Sequence, residues 1–362
     1  LGHMRQFLRV SLPQARPAIA AGTAIVMMET LNDFGTVDYF AVQTLTTGIF
    51  SIWLESYDPG GAAQLAVLAV LIVAGLLGLE KIGRRRARFN KSGRQMAPIQ
   101  PQRLSSRQGA AVLLYCLVPI GLGFLIPLIV LVAPVVSDLS LWNDSGLWRA
   151  AVHSLALGGV SAGLVVLFAT AMVLGVQKSS GAWKKSLLTL TTLGYAFPGA
   201  ILGLGILIPL AVFDNWLADL IFATFRRDPG LLLTGSAGAL IVAYFVRFFA
   251  IGVGAAEAGL AAISTNIPLA ASTLGRPPKD VALNIYQPLM RGSLASAMVL
   301  VFVDTVKELP ATLLLRPFNF DTLSTHVYGQ ASLEKFHASA PAALLIITLS
   351  LGAIYLLAKA HR

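Results

Sequence analysis

Five charged side chains stand where an apolar chain can least accommodate them. Glu29 and Asp33 close an apolar run that begins near Ala18, and Asp304, Lys307 and Glu308 close a second that begins near Arg291. Ionisable groups at the ends of such runs face a cavity or a partner charge, because the alternative is a charge stranded in hydrocarbon. A hard trivalent cation favours carboxylate oxygens, so acids on both segments could line a path for one. Equally, Lys307 could pair with Asp304 or Glu308 and pin a helix end. The sequence leaves both readings open. Arg247, in the last turns of its own apolar run, reads as a snorkelling or helix-packing arginine.

Covalent chemistry has little to work with. There is no Gly-rich phosphate loop ending in Lys-Ser/Thr, no His-Glu-x-x-His and no paired-cysteine motif. His3, His153, His326, His337 and His361 lack metal-ligand spacing. An intrinsic ATPase and the usual zinc enzymes are therefore not expected. Cys116 is the one cysteine, so disulfides within the chain are ruled out, and its apolar surroundings suggest a thiol packed in the core.

These residues must be positioned by membrane helices. The chain of 362 residues is 56% hydrophobic and 12% charged, with a mean hydropathy of +0.74, whereas roughly a quarter of the residues of a soluble domain are charged. Apolar runs at 18–31, 62–79, 109–136, 149–174, 186–213, 235–255, 291–309 and 340–358 give eight expected spans of an all-α integral membrane protein. The net charge of +10 is concentrated between the runs, above all in 80–108, where nine Lys or Arg face Glu80 alone. That segment reads as a cytoplasmic linker by the positive-inside rule, and with few aromatics interleaved it does not suggest nucleic acid. Alternating sides from it places Lys178, Lys184, Lys185, Arg276, Lys279 and Lys359 inside, and Asp138, Asp144, Asp214, Asp219 and Asp228 outside. Gly159-x-x-x-Gly163 and Gly199-x-x-x-Gly203 suit close helix contacts.

Part of the chain occurs twice. Val10, Pro13, Arg16, Ala20, Thr30 and Asp33 have like residues at Ile285, Pro288, Arg291, Ala295, Thr305 and Glu308, each 275 positions on (288 − 13). A fixed long period marks a duplicated unit. The expected organisation is the end of a first copy at 1–79, the linker at 80–108 and a complete second copy at 109–362.

The polar stretch 257–288 is the most telling. Asn266 is a good helix N-cap ahead of Pro268, Gly275 can end that helix in the left-handed conformation, and Pro277 and Pro278 can begin another short helix towards Pro288. So short a helix, showing Ala270, Ala271 and Leu274, needs something to pack against.

The run Leu269-Ala270-Ala271, Leu274-Gly275, Ile285 and Pro288 resembles the cytoplasmic coupling motif of ABC-importer permeases, with Leu269 in place of the motif's Glu and Gln287 in place of its Leu. Val10 and Pro13 match the motif's end in the first copy, which suggests that the chain opens inside a first coupling loop. Met28 to Phe40 and Asp304 to Thr322 resemble the two halves of fused ferric-iron permeases in the family of binding-protein-dependent inner-membrane transport components. The resemblance implies a permease-type helix bundle in the bacterial inner membrane, surrounded by lipid. It also implies a cytoplasmic ABC ATPase dimer that binds ATP and Mg, a periplasmic substrate-binding protein, and no cofactor in this chain. Thiamine, phosphonate, polyamine or sulfate are alternative cargoes. A secondary transporter driven by an ion gradient is the alternative class, although it needs no helix–Gly–helix loop. With the early part of a first copy missing from these residues, they are not expected to transport alone.

Overall fold

The structure is a computed structural model that describes residues 3–85, 104–176, 182–264 and 266–360. Most of the basic linker, Lys178 and Arg362 lie outside the described residues. Every regular element among the described residues is helical: α1 Leu12–Asn32, α2 Gly35–Tyr39, α3 Leu45–Leu54, α4 Pro59–Arg85, α5 Ser106–Ser137, α6 Ser145–Val176, α7 Ala182–Ala196, α8 Gly199–Phe225, α9 Ala237–Ala261, α10 Asn266–Thr273, α11 Pro278–Val306, α12 Pro310–Leu315, α13 Leu323–Ser332 and α14 Phe336–Ala360.

Seven of these are long and apolar enough to cross a membrane, in place of the eight expected: α4, α5, α6, α8, α9, α11 and α14. The eighth expectation falls on α1, whose apolar part, Ala18–Asn32, is shorter. The expected span 186–213 is in fact two helices. Pro198 is extended and interrupts the helix between α7 and α8, as proline disfavours helical geometry in the residue before it. Because α8 then continues to Phe225, Asp214 lies inside a helix and not in an outer loop. It is fully buried, and its carboxylate accepts the backbone N–H groups of Leu232, Leu233 and Thr234 at 2.8–3.0 Å, folding the following loop onto α8.

Helices α6, α9 and α11 pack together as the centre of the bundle. The main core joins Phe34, Ile49, Phe50, Ala62 and Ala66 to Leu157, Ala200, Leu240, Tyr244, Phe248, Val301 and Leu315, so both ends of the chain share one interior. Small residues allow the close approaches, though not always the expected ones. Nothing lies within 4 Å of a Cβ built on Gly159 or Gly163, whereas neighbouring Gly158 faces Phe302 at 2.9 Å. Gly199 and Gly203 do abut α12, at Ala311 and Leu314. Cys116 is exposed on α5, most of which lies on the outside of the bundle, with Val135 near its end buried, and this corrects the expected core thiol.

The expected repeat has structural counterparts beyond the residue matches. A one-turn π-helix at Phe7–Ser11 is repeated at Ala282–Tyr286, and α2 and α12 begin 275 positions apart (310 − 35). From there the offset is 278: Thr44 and Thr322 (322 − 44) each cap the next helix in a reciprocal capping box with the threonine three residues on. A three-residue difference between α2–α3 and α12–α13 hides this continuation from sequence comparison at a fixed spacing. Both π-turns end two residues before a proline, Pro13 or Pro288, and so does a third, Gly121–Leu125, before Pro127. A proline has no N–H to donate and crowds the carbonyl four residues back; widening the turn relieves both problems without ending the helix.

Candidate functional site: a cavity between the two copies

The sequence-identified acids meet in one place. A cavity of about 910 Å³ is lined from the first copy by Met28–Thr30 and Asn32–Thr36, and from the second by Asp304 and Lys307–Pro310, with Tyr195 to Phe197 and Arg247 to Phe248 completing the wall. Glu29, Asp33, Asp304, Lys307 and Glu308 all border it. Glu29 and Asp304 are equivalent in the repeat (304 − 29 = 275), as are Asp33 and Glu308, so the cavity lies at the junction of equivalent segments.

Asp33 and Glu308 share a local role. Each sits just after a long helix and accepts the backbone N–H three residues on, Thr36 to Asp33 at 3.2 Å and Ala311 to Glu308 at 3.1 Å, which tethers the start of the next short helix. The expected pinning of a helix end is thus carried by backbone capping in both copies. Lys307 adds to it by pairing with Asp304 at 2.9 Å, and not with Glu308.

Beyond that shared role the copies differ. Glu308 is 6% exposed and pairs with Arg247, Nε to Oε2 at 3.3 Å, so Arg247 is a buried partner of the cavity wall and not a snorkelling side chain. The backbone oxygen of Glu308 also accepts the hydroxyls of Thr312 and Ser324, both at 2.7 Å, and Thr312 in turn meets the Tyr244 hydroxyl of α9 at 2.6 Å. Among the described residues Glu29 and Asp33 make no ion pair. Glu29 has the Tyr195 hydroxyl at 3.5 Å, and the neighbouring Asn32 side chain accepts the N–H of Gly199 at 2.8 Å. Two carboxylates therefore stand on the first-copy wall without an ion pair among the described residues. No cluster of three or more His, Cys, Asp or Glu able to hold a metal occurs among the described residues.

At one end of the bundle lies the helix–Gly–helix loop. Helix α10 spans Asn266–Thr273, and Gly275 adopts φ +77° as expected. Two details differ. The second helix is no separate short element but the first turn of α11, which runs from Pro278 through the π-turn to Val306. Ala271 is buried with Val281, Tyr286 and Met290, and Ile285 packs beside them, so these residues hold the loop to the spans. Leu269, Ala270 and Leu274 point outwards, with Leu274 82% exposed. Pro288 is exposed, as is its first-copy neighbour Val10, and Pro13 is half-buried.

No family model matches the chain. It is 26% identical over 351 residues, 96% of its length, to the Haemophilus influenzae protein FbpB 2, an Fe(3+)-transport system permease protein of which that stretch covers 66%. It is 25% identical over 172 residues to the Actinobacillus pleuropneumoniae ferric transport system permease protein FbpB, 23% of that relative's length. Over 204 residues it is 27% identical to PhnV of Salmonella typhimurium, a permease protein assigned to 2-aminoethylphosphonate transport. The chain thus spans about two thirds of the length of the first relative and about a quarter of the second. Among solved structures, a bacterial alginate ABC transporter in complex with an alginate-bound periplasmic protein superposes with a TM-score of 0.55 at 16% identity, over 69% of this chain and 91% of that one. A second alginate importer structure gives 0.57 at 15%, again over 69% of this chain, and over 94% of the other. The chain has the helix-bundle fold of ABC-transporter permeases, it is a multi-pass inner-membrane protein, and it resembles ferric-iron permeases over nearly its whole length.

Proposed function

Starting from that fold, we propose that the chain is the membrane-spanning subunit of an ATP-driven, binding-protein-dependent importer, and that its cargo is ferric iron. The cavity would be the passage. The observation that carries this reading is the meeting of Glu29 and Asp33 with Asp304 and Glu308 across one cavity, with an exposed lever loop at an end of the same helices. A cytoplasmic ATPase dimer, which holds the ATP and Mg, would grip Leu269, Ala270 and Leu274, while a periplasmic binding protein delivers cargo at the opposite face. ATP-driven closure of the ATPase pair would push on α10 and tilt α9 and α11, opening the cavity alternately to the two sides.

The charge pattern favours a cation. Two unpaired carboxylates attract a hard multivalent ion and repel a phosphonate. A passage must also release what it binds, which fits a wall on which two acids are without an ion pair among the described residues. The phosphonate reading rests on the PhnV relative, and the two are separable. In vesicles carrying the full-length protein with its co-purifying ATPase and binding protein, Glu29→Gln/Asp33→Asn should lower ATP-driven iron uptake by about tenfold, the equivalent of roughly 1.4 kcal/mol in the barrier. Unchanged iron uptake by a stable variant would remove the carboxylates from the path. Faster uptake of 2-aminoethylphosphonate than of iron by the unmodified protein would replace the cargo.

The lever loop has its own test. Gly275 occupies the left-handed region, where a branched side chain costs about 1–2 kcal/mol. Gly275→Val should tilt α10 away from its place without unfolding the spans. The expected result is normal protein in the membrane and a reduced yield of co-purified ATPase; an undiminished yield would mean that the loop is not the grip.

A further inference from the structure

We propose that Arg247 and Glu308 are positioning residues: a buried tether that makes the cavity wall follow the lever loop. This rests on the importer reading above.

Arg247 lies on α9, 14 residues before its end at Ala261 (261 − 247), or about 21 Å of helix from the lever loop. Glu308 lies at the bend between α11, which leaves the same loop, and α12, which walls the cavity. Tyr244 and Arg247, one turn apart on α9, hold this bend at two points, through Thr312 and through the Glu308 carboxylate. Ser324 fastens the Glu308 backbone oxygen to α13. Any axial movement of α9 is therefore delivered to the bend, and from there to α12 and α13.

Two observations separate this role from simple stabilisation. Asp33 caps its short helix in the same way without a cationic partner among the described residues, so the arginine is not required for the cap. The pair is also poorly satisfied for a stabilising device: its side chains are 7% and 6% exposed, yet Arg247 Nε and Nη1 make no hydrogen bond of good geometry. Buried pairs of this kind are commonly replaceable by apolar residues without loss of stability. What an apolar contact lacks is a directional attraction, so it resists a pull only weakly and fixes no orientation between the two helices. Gly199 leaves the necessary room: a Cβ there would lie 2.4 Å from both Arg247 Nη1 and Glu308 Oε1.

The test uses the full-length protein with its co-purifying ATPase in vesicles. Cys116→Ser removes the natural thiol and Thr36→Cys places one on the cavity wall, where a membrane-impermeant maleimide reports access. With the pair intact, ATP and Mg should change the labelling rate by at least about fivefold, the low end of ordinary coupling between sites. In Arg247→Met/Glu308→Gln, which removes both charges while the Gln amide oxygen still accepts the Ala311 N–H, the ATP-induced change should fall below roughly twofold, while the thermal unfolding midpoint and ATPase co-purification stay close to those of the unmodified protein. Arg247→Lys, which keeps the attraction, should retain most of the response. A double variant with the full ATP response overturns the tether, and so does one that fails to fold or to hold the ATPase, because the pair is then structural. Absence of any ATP response with the pair intact overturns the importer reading itself, and the tether with it.

Discussion

Arg247→Met on its own should leave little folded protein in the membrane. The substitution strands the Glu308 carboxylate in a site 6% exposed, and removing one partner of a buried pair costs about 3–5 kcal/mol. That is a large part of the 5–15 kcal/mol by which a protein is typically stable. Glu308→Gln should act in the same direction: its amide oxygen can still accept the Ala311 N–H, but Arg247 is left without its counter-charge. The double replacement Arg247→Met/Glu308→Gln, which strands neither charge and keeps an acceptor for the Ala311 N–H, should recover most of the loss. Yield from membranes and the unfolding midpoint in detergent measure all three. An Arg247→Met protein as stable as the unmodified one would show that water already reaches the carboxylate.

The second large effect belongs to Gly194. A Cβ at this position on α7 would stand 2.2 Å from the backbone oxygen of Val246 on α9, and a backbone oxygen cannot rotate aside. Gly194→Ala should therefore separate the two helices and destabilise the protein by about 1–3 kcal/mol, the usual cost of overpacking. Gly159→Ala is the matched control. Nothing lies within 4 Å of the added methyl group there, so the gain in helix propensity, about 0.5–1 kcal/mol, should appear unopposed. Equal midpoints for the two variants would contradict the helix contact.

How much of this was legible in the sequence depends on how far the relevant partners lie apart along the chain. The cavity acids were legible because each stands at the end of an apolar run, where a charge needs an explanation. Gly275 was legible because a left-handed turn between two short helices has few solutions. The repeat was legible up to Asp33 and Glu308, and then disappeared, since three extra residues before Thr322 break a fixed spacing that the capping boxes preserve. The division of 186–213 into α7 and α8 was hidden because both pieces are apolar; Pro198 was its only signal. Ala271 was read as exposed because a short amphipathic helix does not declare which side its partner occupies. The pairing of Arg247 with Glu308 was out of reach. The two are 61 positions apart (308 − 247), on different helices, and no local pattern links an arginine in mid-span to a particular acid.

The unequal walls of the cavity have one more consequence. Arg247 and Lys307 both stand on the second-copy side, while the acids of the first copy stand unbalanced, so the space between them carries a standing transverse field. Among the described residues the acids of the second copy are paired, Glu308 with Arg247 and Asp304 with Lys307, whereas those of the first copy make no ion pair. Substitutions on the first side should therefore alter which ions enter, and those on the second should alter how firmly their entry is linked to movement.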